Sequence, residues 1–324
     1  MTSVSTPIAG RLPLWAAVGV AVVCGMLMAT QSRINGEFGR RLGDGYTAAA
    51  LSFTVGLVIV AVIVALMPSA RHGARQAVAE VRAGRLPGWM LLGGVGGAVF
   101  VLTQSLASAL VGVSLFTIAF IGGQTMSGLV VDRIGFGPGG RRYLTVRRVL
   151  GAGIALAVVV WSVAAHIDPE IPVWLLLLPF GAGVVQSVQQ AANGRVAAAS
   201  GSAVSSTLFN FIAGASVLVV IALVHALVVG GFPTSLPALV SPDWWLYLGG
   251  PLGVTFIFGL ATAVRVTGVL LLGLCSISGQ LVGSIAIDLI APGQGHGVDW
   301  TTPIAAALVV VAVLVVSLPS RGRP

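Results

Sequence analysis

The chain has 324 residues, of which 56% are hydrophobic and only 8% charged, with a mean hydropathy of +1.02. A soluble domain carries about a quarter charged residues and has no core able to hide this much apolar surface, so the composition calls for lipid as solvent. The formal charge of +8 comes from Arg alone: with no Lys in the chain, a P-loop lysine and a lysine Schiff base are both excluded, and nucleotide-driven pumping and pyridoxal or retinal chemistry with them.

A hydrocarbon core of roughly 30 Å takes about 20 apolar residues per helix. Runs of that length predict ten spans, near 14–35, 47–67, 88–109, 112–131, 146–165, 172–192, 203–229, 243–264, 268–289 and 302–319. Residues 1–32 resemble a signal peptide, with Arg11 before an apolar run, but the run has a counterpart at 172–190 and is expected to be a structural helix. Pro, Gly and charge clusters separate most spans. The third and fourth, and the eighth and ninth, meet tightly at Val111-Gly112 and Thr267-Gly268, as helical hairpins. Trp15, Trp89, Trp161, Trp174, Trp244, Trp245 and Trp300 lie near predicted helix ends, where an amphipathic ring sits best in a bilayer.

Ten spans put both termini on one side. That side carries fourteen Arg, including four at 71–85 and five at 133–148, against Arg33, Arg40 and Arg41 opposite. The positive-inside rule places the termini in the cytoplasm of a bacterial-type cell, the protein being multi-pass in the plasma membrane. Basic residues placed between apolar runs orient helices, so nucleic acid is not an expected partner. The clustered Arg141, Arg142, Arg147 and Arg148 are expected to reach anionic headgroups, which makes membrane lipid a partner.

The chain repeats itself. A shift of 158 sets Gln31, Asn35, Gly36, Gly43, Phe53 and Gly56 on Gln189, Asn193, Gly194, Gly201, Phe211 and Gly214. A shift of 156 matches 89–135 to 245–291 at 15 of 47 positions, with Gly123-Gln124 and Asp132 on Gly279-Gln280 and Asp288. Each half, 1–166 and 167–324, has five spans. An odd number turns the second copy over, so the expected fold class is an all-α integral membrane protein of two inverted five-helix repeats. That arrangement is characteristic of secondary transporters.

The candidate chemistry is made of amides. Gln124 and Gln280 fall mid-span beside glycines, and an amide in hydrocarbon must turn to the bundle interior. They read either as substrate ligands, one from each half, or as interhelical hydrogen bonds. Gln186, Gln189, Gln190 and Asn193, at i, i+3, i+4 and i+7, form one stripe on the sixth span. The first span keeps Gln31 and Asn35, with Met28 in place of Gln186. Gln104 and Asn210 are weaker candidates. Asp132 and Asp288 close the fourth and ninth spans on opposite faces, as helix ends or as gating or coupling sites. Arg33 and Glu37, at i and i+4, are expected to pair. Gly93-Gly94 and Gly249-Gly250 are expected at close helix contacts. The four His and two Cys are scattered, so neither a metal nor another cofactor is expected.

The blocks from Gln31 to Gly36, Ser52 to Gly56, and Gly123-Gln124 with Asp132-Arg133-Ile134-Gly135 resemble the YdcZ-type branch of the drug/metabolite transporter superfamily. The second-half blocks, Gln189 to Gly194, Asn210 to Gly214 and Gly279-Gln280 with Asp288, repeat the pattern. The resemblance spans about 14–319 and implies a fused two-repeat member, with transport at the interface of the halves. Small multidrug relatives use a glutamate in the first helix; no acid lies between Leu14 and Asn35. The expected function is export of a small polar molecule, by alternating access and without enzyme activity. The competing expectation is a membrane scaffold or assembly partner whose amide stripe packs dry. A second copy of the chain is a candidate partner.

Overall fold

The computed structural model describes residues 12–111, 113–166, 177–233, 242–290 and 301–317. Among them lie eleven α-helices: α1 (Leu14–Leu42), α2 (Gly45–Leu66), α3 (Pro68–Arg82), α4 (Gly94–Val111), α5 (Val113–Ile134), α6 (Val146–His166), α7 (Leu177–Ser200), α8 (Ala203–Val229), α9 (Gly249–Thr267), α10 (Val269–Ile290) and α11 (Thr301–Ser317). No strand occurs among the described residues. All but α3 overlap the predicted spans. Hydropathy leaves 68–87 as a loop, because α3 carries three Arg and buries only the small residues Ala70, Gly73 and Ala77 on one face.

The two halves use the same turn between their first two helices. After α1, Gly43 takes φ 68° and its N–H reaches the Arg40 carbonyl. Asp44 then accepts hydrogen bonds from the N–H groups of Tyr46 and Thr47 and starts α2. At the equivalent place Gly201 takes φ 67° and Ser202 accepts from the N–H of Ser205 to start α8. A left-handed residue that ends one helix, followed at once by a side-chain cap on the next, is a compact way to reverse the chain.

Helix packing follows the same exchange. α1 lies against α9 and α10, as α7 lies against α4 and α5; α2 packs on α8, and α6 on α11. Glycines set the closest approaches. A Cβ on Gly25 would fall on the carbonyl of Ser276, and one on Gly183 on the carbonyl of Phe120. Gly279 meets Val22 and Gly123 meets Phe180 in the same way, as Gly94 meets Asn210 and Gly250 meets Ser52. Every one of these contacts has its repeat-related twin.

The equivalent helices α2 and α8 run antiparallel. Gly56 meets Phe211 while Gly214 meets Phe53, and the two rings lie 5.4 Å apart at their centroids. The Tyr46 ring near the start of α2 contacts His225 near the end of α8. Ser205, near the start of α8, donates to the carbonyl of Ala70 just past α2.

Among the described residues, four helical segments are long and apolar enough to cross a membrane: Leu14–Leu42, Gly45–Leu66, Ala203–Val229 and Trp244–Thr267, the last including the 3-10 turn before α9. Helix α7 carries the amide stripe, and ten of its residues besides those four are buried. Its polar groups are tolerated through packing rather than through hydropathy.

Candidate substrate site

A cavity of about 60 Å³, room for a few waters, lies where the halves meet. From the first half it is lined by Gln31, Ser32 and Asn35 of α1, with Met28, Phe53 and Phe100; from the second by Gln186, Gln189, Gln190 and Asn193 of α7, Gln280 of α10, and Phe256 and Leu260 of α9. The 3.6-residue period stacks the α7 amides on one face. The α1 residues Gln31 and Asn35 are one turn apart and face them for the same reason. No Asp, Glu, Arg or His is among the described lining residues.

Part of the polar lining is held in place. Gln189 Nε2 donates to Asn210 Oδ1 at 2.9 Å, and Asn193 Nδ2 donates to the same oxygen at 2.8 Å. Ser206 Oγ donates to the Asn193 carbonyl at 2.7 Å. Gln31 Nε2 crosses to the other half and donates to the Gly249 carbonyl at 2.7 Å. These bonds anchor the amides that frame the cavity, and they give Asn210 a supporting place that its isolation on α8 does not suggest.

Other lining atoms have no partner among the described residues. They are Gln186 Oε1, Gln189 Oε1, Asn35 Oδ1 and both amide atoms of Gln190. Gln190 is only 4% exposed. An unsatisfied buried polar group costs about 1–3 kcal/mol, so a cluster of them around one cavity is a set of hydrogen-bonding positions for a polar solute. The aromatic walls of Phe53, Phe100 and Phe256 supply flat apolar surface beside them. These walls escaped the sequence reading, since a Phe in a span is indistinguishable from one facing lipid or core until the neighbours are known.

The two mid-span glutamines part company. Gln280 lines the cavity, whereas Gln124 is 2% exposed and lies outside the lining. Its amide sits over Gly273 on α10, and its backbone carbonyl accepts from Ser187 Oγ at 2.9 Å. Glycine at 273 leaves the space that the Gln124 side chain fills; the repeat-equivalent residue is Thr117. The side chains of Gln104 and Asp288 lie outside the described residues.

Asp132 is buried at the end of α5. Its carboxylate accepts from the N–H of Val269 at 2.8 Å and of Leu270 at 3.2 Å, the first turn of α10, and pairs with Arg148 of α6. Arg142 donates its backbone N–H to the Asp132 carbonyl at 2.8 Å and its guanidinium to the Val266 carbonyl at 2.6 Å. Burial pushes the Arg142 guanidinium down from its ordinary range, with Asp132 opposing. The expectation that all four arginines of this loop reach lipid headgroups is therefore corrected. Arg142 and Arg148 turn inward, because a buried carboxylate and the open carbonyls at the end of α9 offer charge-assisted partners nearby. The cluster ties the α5–α6 loop of the first half to the α9–α10 turn of the second.

Glu37 also differs from expectation. Its carboxylate is held by Arg40 at 2.6 Å and Arg41 at 2.6 Å. The preference has a simple cause: a glutamate that precedes its cation by one turn is better placed than one that follows it, as it would with Arg33.

The family described as "Putative inner membrane exporter, YdcZ" matches the chain twice, over residues 16–161 and 174–315. No curated protein matches it. Among solved structures, a crystal structure described only as that of a protein covers 95% of this chain and 97% of its own, with a TM-score of 0.61 and 20% identity, a likeness of fold alone. The paired family match makes the protein a multi-pass inner-membrane protein of a transporter family, not of an enzyme family. The amide-lined junction of two related halves is thus found in a chain that belongs to the YdcZ family of the drug/metabolite transporter superfamily, with two repeats fused in one polypeptide.

Proposed function

We propose that the protein is a secondary carrier that exports a small polar metabolite without net charge, through ten spans arranged as two inverted halves with both termini in the cytoplasm. The observation that carries this reading is the cavity between the halves, lined by amides from both and, among the described residues, by no charged group. A mid-membrane carboxylate suits exchange of a proton for a cation; amides instead offer paired donors and acceptors to a neutral or zwitterionic solute. The antiparallel run of α2 and α8 supports inversion of the halves, and inverted halves can exchange inward-open and outward-open states around a shared site.

The Asp132 cluster then serves as the cytoplasmic latch, joining one half to the other below the cavity. Asp288, the repeat equivalent of Asp132 in the sequence, is the corresponding candidate for a latch on the outer face. The two latches alternate: each closes its own face while the other is released.

The test has two arms. A metabolite screen of cells lacking or overproducing the chain identifies the cargo, and reconstituted vesicles measure its flux. Separately, cysteine at position 186, with Cys24 and Cys275 replaced by Ser, reports access from each side to an impermeant maleimide. A carrier gives protection by cargo and access that shifts between faces. A residue 186 sealed from both faces, with or without cargo, ends the alternating-access reading.

A further inference from the structure

Helix α3 is docked firmly, yet one of its faces has no partner among the described residues. Its small residues Ala70, Gly73 and Ala77 are buried, and it packs on α7 and α8. A Cβ on Gly73 would come within 2.7 Å of Ser202 Cβ and Ser205 Oγ, so only glycine permits this approach. The bond from Ser205 Oγ to the Ala70 carbonyl, 2.8 Å, fixes the depth of the helix against the first turn of α8.

Beside this contact runs an open groove of about 790 Å³. Leu208 and Phe209 of α8 form its floor and Ala74 and Val78 of α3 its side; Arg75 and Arg82 stand at its rim. The two arginines are seven residues apart, two turns, and so project along one face roughly 10 Å apart. Neither has an ion-pair partner among the described residues, and the nearby Glu80 is already engaged by Arg85 at 2.6 Å. The groove is therefore cationic at the rim and apolar at the floor. Leu208 lies only five residues into α8, about 8 Å from its start by the helical rise, a depth that matches the step from headgroups to acyl chains.

We propose that this groove binds an anionic glycerophospholipid of the cytoplasmic leaflet, with its phosphate between Arg75 and Arg82 and an acyl chain along Leu208 and Phe209. The proposal uses the inward placement of the loop between α2 and α4 and is independent of whether the chain transports anything. Two guanidiniums near a lipid phosphate confer preference over a zwitterionic lipid, and the apolar floor selects a lipid over a free phosphate. Bound there, the lipid would brace α3 against α8.

Lipid retention by the full chain, exchanged into nanodiscs of phosphatidylcholine containing phosphatidylglycerol and measured by native mass spectrometry, tests the assignment. Phosphatidylglycerol should be retained over phosphatidylcholine, and the preference should fall about thirty-fold in Arg75→Gln/Arg82→Gln. The charge-conserving Arg75→Lys/Arg82→Lys should keep most of it, and Arg33→Gln, on another helix, should keep all of it. Glycerol 3-phosphate should not displace the lipid; displacement would identify a phosphate site and overturn the lipid assignment. Equal retention of both lipids by the unmodified chain, or equal preference in the Gln variant, would also overturn it.

Discussion

Asp132→Ala isolates the strongest polar junction between the halves. The substitution removes the acceptor for two backbone N–H groups of α10 and the partner of Arg148, while the two side chains are only 3% and 11% exposed. Breaking a buried ion pair from one side costs about 3–5 kcal/mol, because the remaining charge is left uncompensated. Arg148→Met leaves the carboxylate with its two N–H donors and should cost about 1–3 kcal/mol, the range for a hydrogen bond to a charged group. In Asp132→Ala/Arg148→Met the stranded guanidinium is gone, so the combined loss should fall short of the sum by about 2 kcal/mol or more. Reversible unfolding in mixed micelles, run on the wild type, both singles and the double, measures that coupling. A coupling below about 0.5 kcal/mol would refute the account, since that is what an exposed, weakly interacting pair gives.

Four further outcomes follow from the geometry. Gln190→Leu removes two buried amide atoms that have no partner among the described residues; folding stability should stay level or rise slightly, while flux of the identified cargo is lost, both read on the same preparation. Gly94→Ala places a methyl group on the Asn210 carbonyl and should destabilise by about 1–3 kcal/mol by overpacking, whereas Gly19→Ala, where a Cβ meets nothing within 4 Å, should be neutral in the same thermal melt. Glu37→Gln removes the carboxylate that Arg40 and Arg41 share and, both arginines being exposed, should cost below about 1 kcal/mol in the same melt. Impermeant labelling of cysteines placed at 133 and 288 should come from opposite sides of the membrane; labelling from one side would remove the inverted arrangement.

Much of the fold is legible in the chain because its signals are local. Hydropathy marks where apolar runs begin and end, and each described α-helix other than α3 overlaps an expected segment. The glycine blocks that recur at 93–97 and 249–253 announce close crossings, and the carbonyls of Asn210 and Ser52 are what they cross. Helix α3 was not legible from hydropathy: its buried stripe is made of Ala and Gly, which barely register as apolar, and its arginines dominate the average.

The candidate site divides in the same way. That Gln186, Gln189, Gln190 and Asn193 share a face follows from helical period alone, as does their turn away from lipid. Whether that face meets a cavity or a neighbour depends on what the opposing helix brings, and no one-dimensional pattern contains it. Gln124 and Gln280 occupy equivalent places, yet a glycine across the interface lets one amide pack while the other lines the cavity. Arg142 and Arg148 look like lipid anchors until folding carries Asp132 to the start of α10, 137 residues away in sequence from Val269. Period and polarity decide which residues must avoid lipid. Only the packed bundle decides which of them meet one another, because the energy of a buried polar group is set by its partner and by the space left beside it.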